Sequence, residues 1–193
     1  MQTKKEEIKQ TILEAAKKEF LIHGYEGASM RVIASKANTT LGNIYHYYKN
    51  KEGILDVLLE EPIHTLQEMV NEHTKLQDRL YTAGEILDSF GTIEDIAERQ
   101  EMQCLMDERL IILFDLKTTR YVKIREEIVD KVKKHLAWHL SIENENSAYL
   151  DIVADMFISC VRHFLMGHKD MESRKEFVKC FRMLCTGLAT DLD

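Results

Sequence analysis

Apolar side chains recur at helical spacing along most of this chain, and that period limits what it can fold into. Ile8, Ile12, Ala16 and Phe20 come every four residues, and Ile63, Leu66, Val70, His73 and Leu80 mark a second face. Ile128, Val132, Leu136 and His139 form a third stripe, and Leu150, Val153, Phe157, Val161 and Phe164 a fourth. A step of three or four residues returns to one side of an α-helix, so each set can face a core. With one proline, eight glycines and no alternating β-branched runs, the chain is predicted to be all-α. Its 193 residues suffice for one or two domains with a substantial core.

The punctuation between stripes predicts helix ends. Thr3-Lys4-Lys5-Glu6 reads as a capping box opening the first helix, and Gly24 as its stop. Ser29 caps a second helix that buries Val32, Ile33 and Ala37. Asn38-Thr39-Thr40 is a polar turn, Thr40 caps a third helix at about 41–48, and Asn50 caps a fourth. Pro62 interrupts what would otherwise be one helix from about 51 to 80, as a kink, a restart, or the first residue of a new helix. Further on, Thr92-Ile93-Glu94-Asp95 opens another helix, and Leu105 to Leu116 is a nearly continuous apolar segment. Ser173-Arg174-Lys175-Glu176 is a second capping box, before Phe177, Phe181, Leu184 and Leu188.

Charge is unevenly spread. Residues 1–51 hold nine Lys/Arg against five acids, net +4, whereas the remainder holds 17 against 28, net −11, within an overall −7. A basic head on an acidic body suits a phosphate backbone, which attracts the first and repels the second. The sign changes near 50–60, which divides the chain into a head, residues 1–51, and a body, residues 52–193. No apolar run approaches the roughly 18 residues of a membrane span. The N-terminus lacks the apolar core of a signal peptide, so a cytoplasmic protein without membrane contact is expected. Cys104, Cys160, Cys180 and Cys185 sit in apolar helical stretches and read as small core hydrophobes.

Residues 29–51 carry the most specific signal. Two short helices joined by a tight polar turn, the second rich in aromatics and closed by lysines, form a helix-turn-helix pattern. At 100° per residue, Ile44 and Tyr48 share the inward face of the third helix, with Leu41 beside them. Gly42, Asn43 and His46 point away, with Tyr45 and Tyr47 on the flanks. Three consecutive aromatic or imidazole groups, residues 45–47, cannot all point inward from one helix. Gly42 removes bulk where a helix must approach a groove. Asn43 suits two-point pairing with an adenine edge, and Leu41 and Tyr45 suit a thymine methyl. Lys49 and Lys51, with the hydroxyls of Ser29 and Thr40, are placed for phosphate.

Ala34, Ala37, Thr40 through Tyr48 (TLGNIYHYY) and Lys51 through Leu55 (KEGIL) resemble the N-terminal signature of the TetR family of transcriptional regulators, over about residues 8–55. The resemblance implies an all-α homodimer, usually a repressor, whose C-terminal helical domain binds a small molecule and releases a double-stranded DNA operator. It implies that Arg31, Leu41, Gly42 and Tyr45 face bases and that Ser29, Thr40, Tyr47 and Lys51 hold the backbone. Two departures stand out: Asn38-Thr39 replaces the family's glycine and small apolar residue in the turn, and Pro62 lies in the connecting helix.

The body carries weaker signals. Met102, Met106, Phe114, Tyr121, Trp138, Tyr149 and Met156 are candidates to line an effector pocket, although each also suits an ordinary helical core. His135 and His139 lack a third ligand, as do Cys160 and His163, and Glu61-Pro62-Ile63-His64 supplies only one copy of a motif that di-iron bundles need twice. Neither a metal nor a cofactor is expected. The last two helices, about 147–167 and 174–190, have wide apolar stripes, and Gly167 and Gly187 permit close approach, which suits a dimer interface. The sequence is therefore read as a non-enzymatic, ligand-responsive DNA-binding repressor with a palindromic operator. The alternative is a helical-bundle adaptor or enzyme without operator binding.

Overall fold

The computed structural model describes residues 2–75, 103–139, 142, 144, 147–167, 175–176, 179–180 and 183. All regular structure in them is helical: α1 (Gln2–Gly27), α2 (Met30–Lys36), α3 (Leu41–Tyr47), α4 (Lys51–Lys75), a 3-10 turn (Gln103–Met106), α5 (Arg109–Asp115), α6 (Tyr121–His139) and α7 (Ala148–Met166). The chain forms two compact units, Met1–His64 with Arg109–Lys123, and Thr65–Glu108 with Ile124–Asp193. The helix expected from Thr92, the capping-box residues Ser173 and Arg174, and Leu80, Met102, Phe177, Phe181, Leu184, Cys185, Gly187 and Leu188 lie outside the described residues.

In the first unit α1 packs on α2 and α5, and α2 packs on α3. Ile12, Phe20, Ile33, Ile44, Ile54, Leu55, Leu59, Leu110, Leu113 and Leu116 are fully buried there. Each such burial is worth about 1.5–3 kcal/mol, which makes this core the source of the unit's rigidity. One carboxylate is sealed into the same core. Glu19 is 3% exposed and accepts from the Lys36 ammonium at 2.6 Å and from the Ser29 backbone N–H, joining α1 to both ends of α2.

The short helices end as local chemistry dictates. Asn38 adopts a left-handed φ of 50°, its N–H bonds the Ser35 carbonyl, and the Thr39 N–H bonds the Ala34 carbonyl. This closes α2 with the paired bonds of a Schellman motif, and asparagine fills the glycine role. The Thr40 hydroxyl accepts the Asn43 N–H at 3.1 Å, and the Asn50 carboxamide oxygen accepts the Gly53 N–H at 2.8 Å. Both predicted caps are present.

Other expectations are corrected. The first helix begins at Gln2, so Thr3 is already inside it. Gly24 does break the regular helix, at φ 70°, ψ 162°, yet a further turn continues to Gly27. Val32 is 39% exposed rather than buried, because α2 presents Ile33 and Ala34 to the core instead. Pro62 neither ends nor restarts a helix: it is buried inside a continuous α4. The lost N–H of one proline is tolerated where flanking Leu58, Leu59, Ile63 and Leu66 are all buried. The apolar run from Leu105 is divided between the 3-10 turn and α5, and Cys180 is exposed rather than in the core.

The second unit buries Leu66, Val70, Ile128, Ala137, Leu150, Val153, Ala154, Val161, Phe164 and Leu165. Ser147 caps α7 by accepting the Leu150 N–H, and Gly167 ends it as expected. His135 is buried and stacks on Trp138 at 5.9 Å between ring centroids. No described helix is long and apolar enough to cross a membrane.

At Gly24 an added Cβ would meet nothing within 4 Å, so only the backbone conformation demands glycine. That region of φ/ψ is essentially closed to other residues. Gly24→Ala should lower the unfolding free energy by about 1–3 kcal/mol in urea titration; an unchanged midpoint would show that the break at the end of α1 relaxes freely.

Candidate nucleic-acid interface

The third helix is anchored on one side and open on the other. Ile44 is fully buried and Tyr48, at the C-cap, is nearly so, its hydroxyl donating to the Lys9 carbonyl at 3.4 Å. Gly42, Tyr45 and His46 are exposed, and Leu41, Asn43 and Tyr47 are half-buried. Tyr45 reaches 50% exposure, and the His46 and Tyr47 rings meet edge to face at 5.2 Å. Arg31 and Thr40 are exposed and Ser29 is half-buried. Ser29 makes no side-chain cap bond, so α2 starts without using its hydroxyl.

Three candidates have specific internal roles. Thr40 is committed as an acceptor to its own helix. The Asn43 carboxamide donates to Thr39 Oγ1 at 2.7 Å, which fixes its plane while its carbonyl oxygen stays unused. Lys51 departs furthest from expectation. Its ammonium donates to the carbonyls of Tyr25 at 2.6 Å, Glu26 at 3.2 Å and Ala28 at 3.1 Å, and lies 4.6 Å from the Tyr25 ring centroid. An ammonium has three N–H bonds, and all three are spent. Burial lowers the Lys51 pKa, with the Glu26 carboxylate opposing the shift. In this arrangement nothing of Lys51 remains for a phosphate, whereas Lys49 is exposed and borders an open cleft of about 410 Å³ with Lys9, Gln10 and Tyr47.

Glu26 is a residue that sequence reasoning missed. One of its carboxylate oxygens accepts the Lys117 N–H at 3.0 Å, the Thr118 N–H at 3.1 Å and the Thr118 hydroxyl at 3.1 Å. Burial works to raise its pKa, but these donors outweigh it and hold the carboxyl below the ordinary carboxylate value. No motif marks such a role, since its partners lie some ninety residues away.

Apart from Met102, which lies outside the described residues, the pocket candidates fall in both units. Phe114 and Tyr121 belong to the first unit, and the Tyr121 hydroxyl donates to Asp56 at 2.7 Å. Met106 and Trp138 belong to the second unit and are half-buried. Tyr149 and Met156 lie on the exposed face of α7 with Ile152 and Met166. Among the described residues no group of three or more His, Cys, Asp or Glu gathers as a metal site.

A short exposed helix held by its apolar side, after a tight turn and within a basic head, defines a helix-turn-helix module. Residues 12–58 match the family described as bacterial regulatory proteins, tetR family. It is 35% identical over 65 residues to the HTH-type transcriptional repressor AcnR of Corynebacterium glutamicum, covering 34% of this chain and 35% of that one. The match therefore spans about a third of that relative's length. It is 27% identical over 128 residues to the HTH-type transcriptional regulator YhgD of Bacillus subtilis, covering 62% and 67% of the two chains. Among solved structures, FadR from Bacillus subtilis in complex with stearoyl-CoA aligns with a TM-score of 0.47 at 19% identity, over 92% of this chain and 98% of that one.

The two depressed carboxylates set an acid limit. Glu19 is lowered first by its Lys36 bond, against burial, and Glu26 by its amide donors. A carboxyl that is more acidic folded than unfolded adds stability above its unfolded value, near 4.5, and loses it as pH falls through the folded value. Stability should therefore drop below about pH 4.5, and Glu19→Gln should flatten that drop in unfolding titrations across pH. A variant curve parallel to wild type would remove Glu19 from the acid response.

Proposed function

We propose that the chain is a transcriptional repressor whose α3 lies in the major groove of an operator, with residues 1–51 as the reading head and 52–193 as the ligand and dimer body. The observation that carries this reading is Gly42. An added Cβ there would meet only Thr40 Oγ1, at an ordinary 3.9 Å. Internal packing does not require glycine, although glycine in a helix costs about 0.5–1 kcal/mol relative to alanine. A demand from outside the molecule accounts for the missing side chain, and close approach to base edges is such a demand.

Arg31, Leu41, Tyr45, His46 and the unused carbonyl of Asn43 would then read bases. Ser29, Thr40, Tyr47 and Lys49 would hold the backbone, Lys49 taking the place first expected of Lys51. Two heads are needed for a palindrome. Tyr149, Ile152, Met156 and Met166 recur on one exposed face of α7, with Ile152 at 58% exposure, and a second copy of the chain would cover it. Met106 and Trp138, half-buried in the second unit, would contact a small-molecule effector. Effector binding would favour a state in which the heads no longer match successive grooves, with a coupling of about 1–3 kcal/mol. The protein would act in the cytoplasm, where its operator lies.

Titration of a duplex from the region upstream of its own gene tests the reading: affinity should fall steeply with salt. Gly42→Ala separates fold from function, because it should raise stability by about 0.5–1 kcal/mol while weakening the duplex complex. If Gly42→Ala binds as tightly as wild type, α3 does not approach a groove at that position.

A further inference from the structure

We infer that Glu26 is a positioning residue for α3: it ties the segment from Lys117 to Tyr121 to the last turn of α1, which Lys51 in turn clamps to the start of α4. The inference rests on the DNA-reading role proposed above. Glu26 is gripped from two sides. Its backbone carbonyl and those of Tyr25 and Ala28 accept the Lys51 ammonium, while its carboxylate accepts the Lys117 and Thr118 amides and the Thr118 hydroxyl. Lys51 is the first residue of α4. Any shift of residues 25–28 is thereby passed to the start of α4, four residues after the end of α3.

The segment on the far side of Glu26 is held in a conformation that it would not adopt alone. Thr119 has φ 100°, a region disfavoured for a β-branched residue. Such geometry persists only where neighbours over-determine it. Here Glu26 fixes the two preceding residues, Thr119 Oγ1 accepts the Tyr121 N–H, and Asp56 on α4 takes both the Tyr121 hydroxyl at 2.7 Å and the Arg120 guanidinium at 2.9 Å. Segment 117–121 thus has two anchors, one on α1 and one on α4, and both Lys51 and Asp56 lie in the first two turns of α4, the helix that follows α3. Tyr121 is also the first residue of α6. A displacement at the start of α6 has a bonded route to the head.

Electrostatics and positioning predict opposite signs, which makes the inference testable. Removing a carboxylate from a basic head should strengthen DNA binding by charge alone. If Glu26 positions α3, Glu26→Ala should instead weaken the upstream duplex complex roughly tenfold in anisotropy titrations, with an unchanged slope of log K against log salt. Glu26→Gln, which keeps an acceptor oxygen, should recover most of the affinity. Lys51→Met should weaken binding with the same unchanged slope, and the double variant Lys51→Met/Glu26→Ala should lose less than the two single losses combined. Hydrogen exchange of the 41–47 amides in the free protein gives a readout independent of DNA, and Glu26→Ala should speed it. Tighter or unchanged binding by Glu26→Ala, or additive losses, would overturn the inference. Should wild type show no salt-dependent duplex binding, the regulator reading fails; exchange in α3 then decides the positioning role alone, and unchanged exchange overturns it.

Discussion

The head depends on a charge buried where charge is costly. Glu19 sits at 3% exposure between α1 and α2, and an ion moved out of water loses several kcal/mol of solvation unless partners replace it. Lys36 at the end of α2 and the Ser29 amide at its start replace it together. An apolar contact would tolerate sliding or rotation of one helix on the other. A carboxylate that must reach donors at both ends of a seven-residue helix tolerates neither, so the turn after α2 and the presentation of α3 follow from where this group can be satisfied.

A second feature separates the needs of folding from those of binding. Around α3 the buried positions, Ile44 and Tyr48, are chosen for packing, and the exposed ones leave stability unclaimed: a glycine without a steric reason, a tyrosine half in water, and a serine cap that makes no cap bond. Each departs from what a helix needs by itself. Such departures concentrate where a surface serves something outside the chain. The head combines this under-stabilised face with an over-determined interior, in which Lys51 and the Glu26 carboxylate use every donor or several acceptor sites at once.

Much of the head was legible from residues alone, and the legible parts share a property. Asn38 in the left-handed region, the Thr40 and Asn50 caps, the inward Ile44 and Tyr48, and the break at Gly24 each depend on neighbours within four or five residues. The misread positions depend on distant ones. Lys51 looked like a phosphate ligand because lysines at helix starts are usually solvated, and its three carbonyl partners are 23 to 26 residues away. Val32 looked buried by its type, yet the path of α1 favours Ile33 and Ala34. Pro62 looked like an interruption, by kink or restart, yet α4 runs through it with buried neighbours on both sides.

The amino-acid sequence by itself determined the helical class, the helix-turn-helix with its caps and turn, and the family resemblance of the head, because periodicity, capping and motif spacing are short-range properties written in adjacent residues. Tertiary structure alone decided which cation is spent inside and which is left exposed, which tyrosine and methionine of the body face outward, and that Glu26 joins α1 to a loop ninety residues later. Those outcomes turn on which groups meet across the fold, and a hydrogen bond or a buried area has no local signature until the chain has closed on itself.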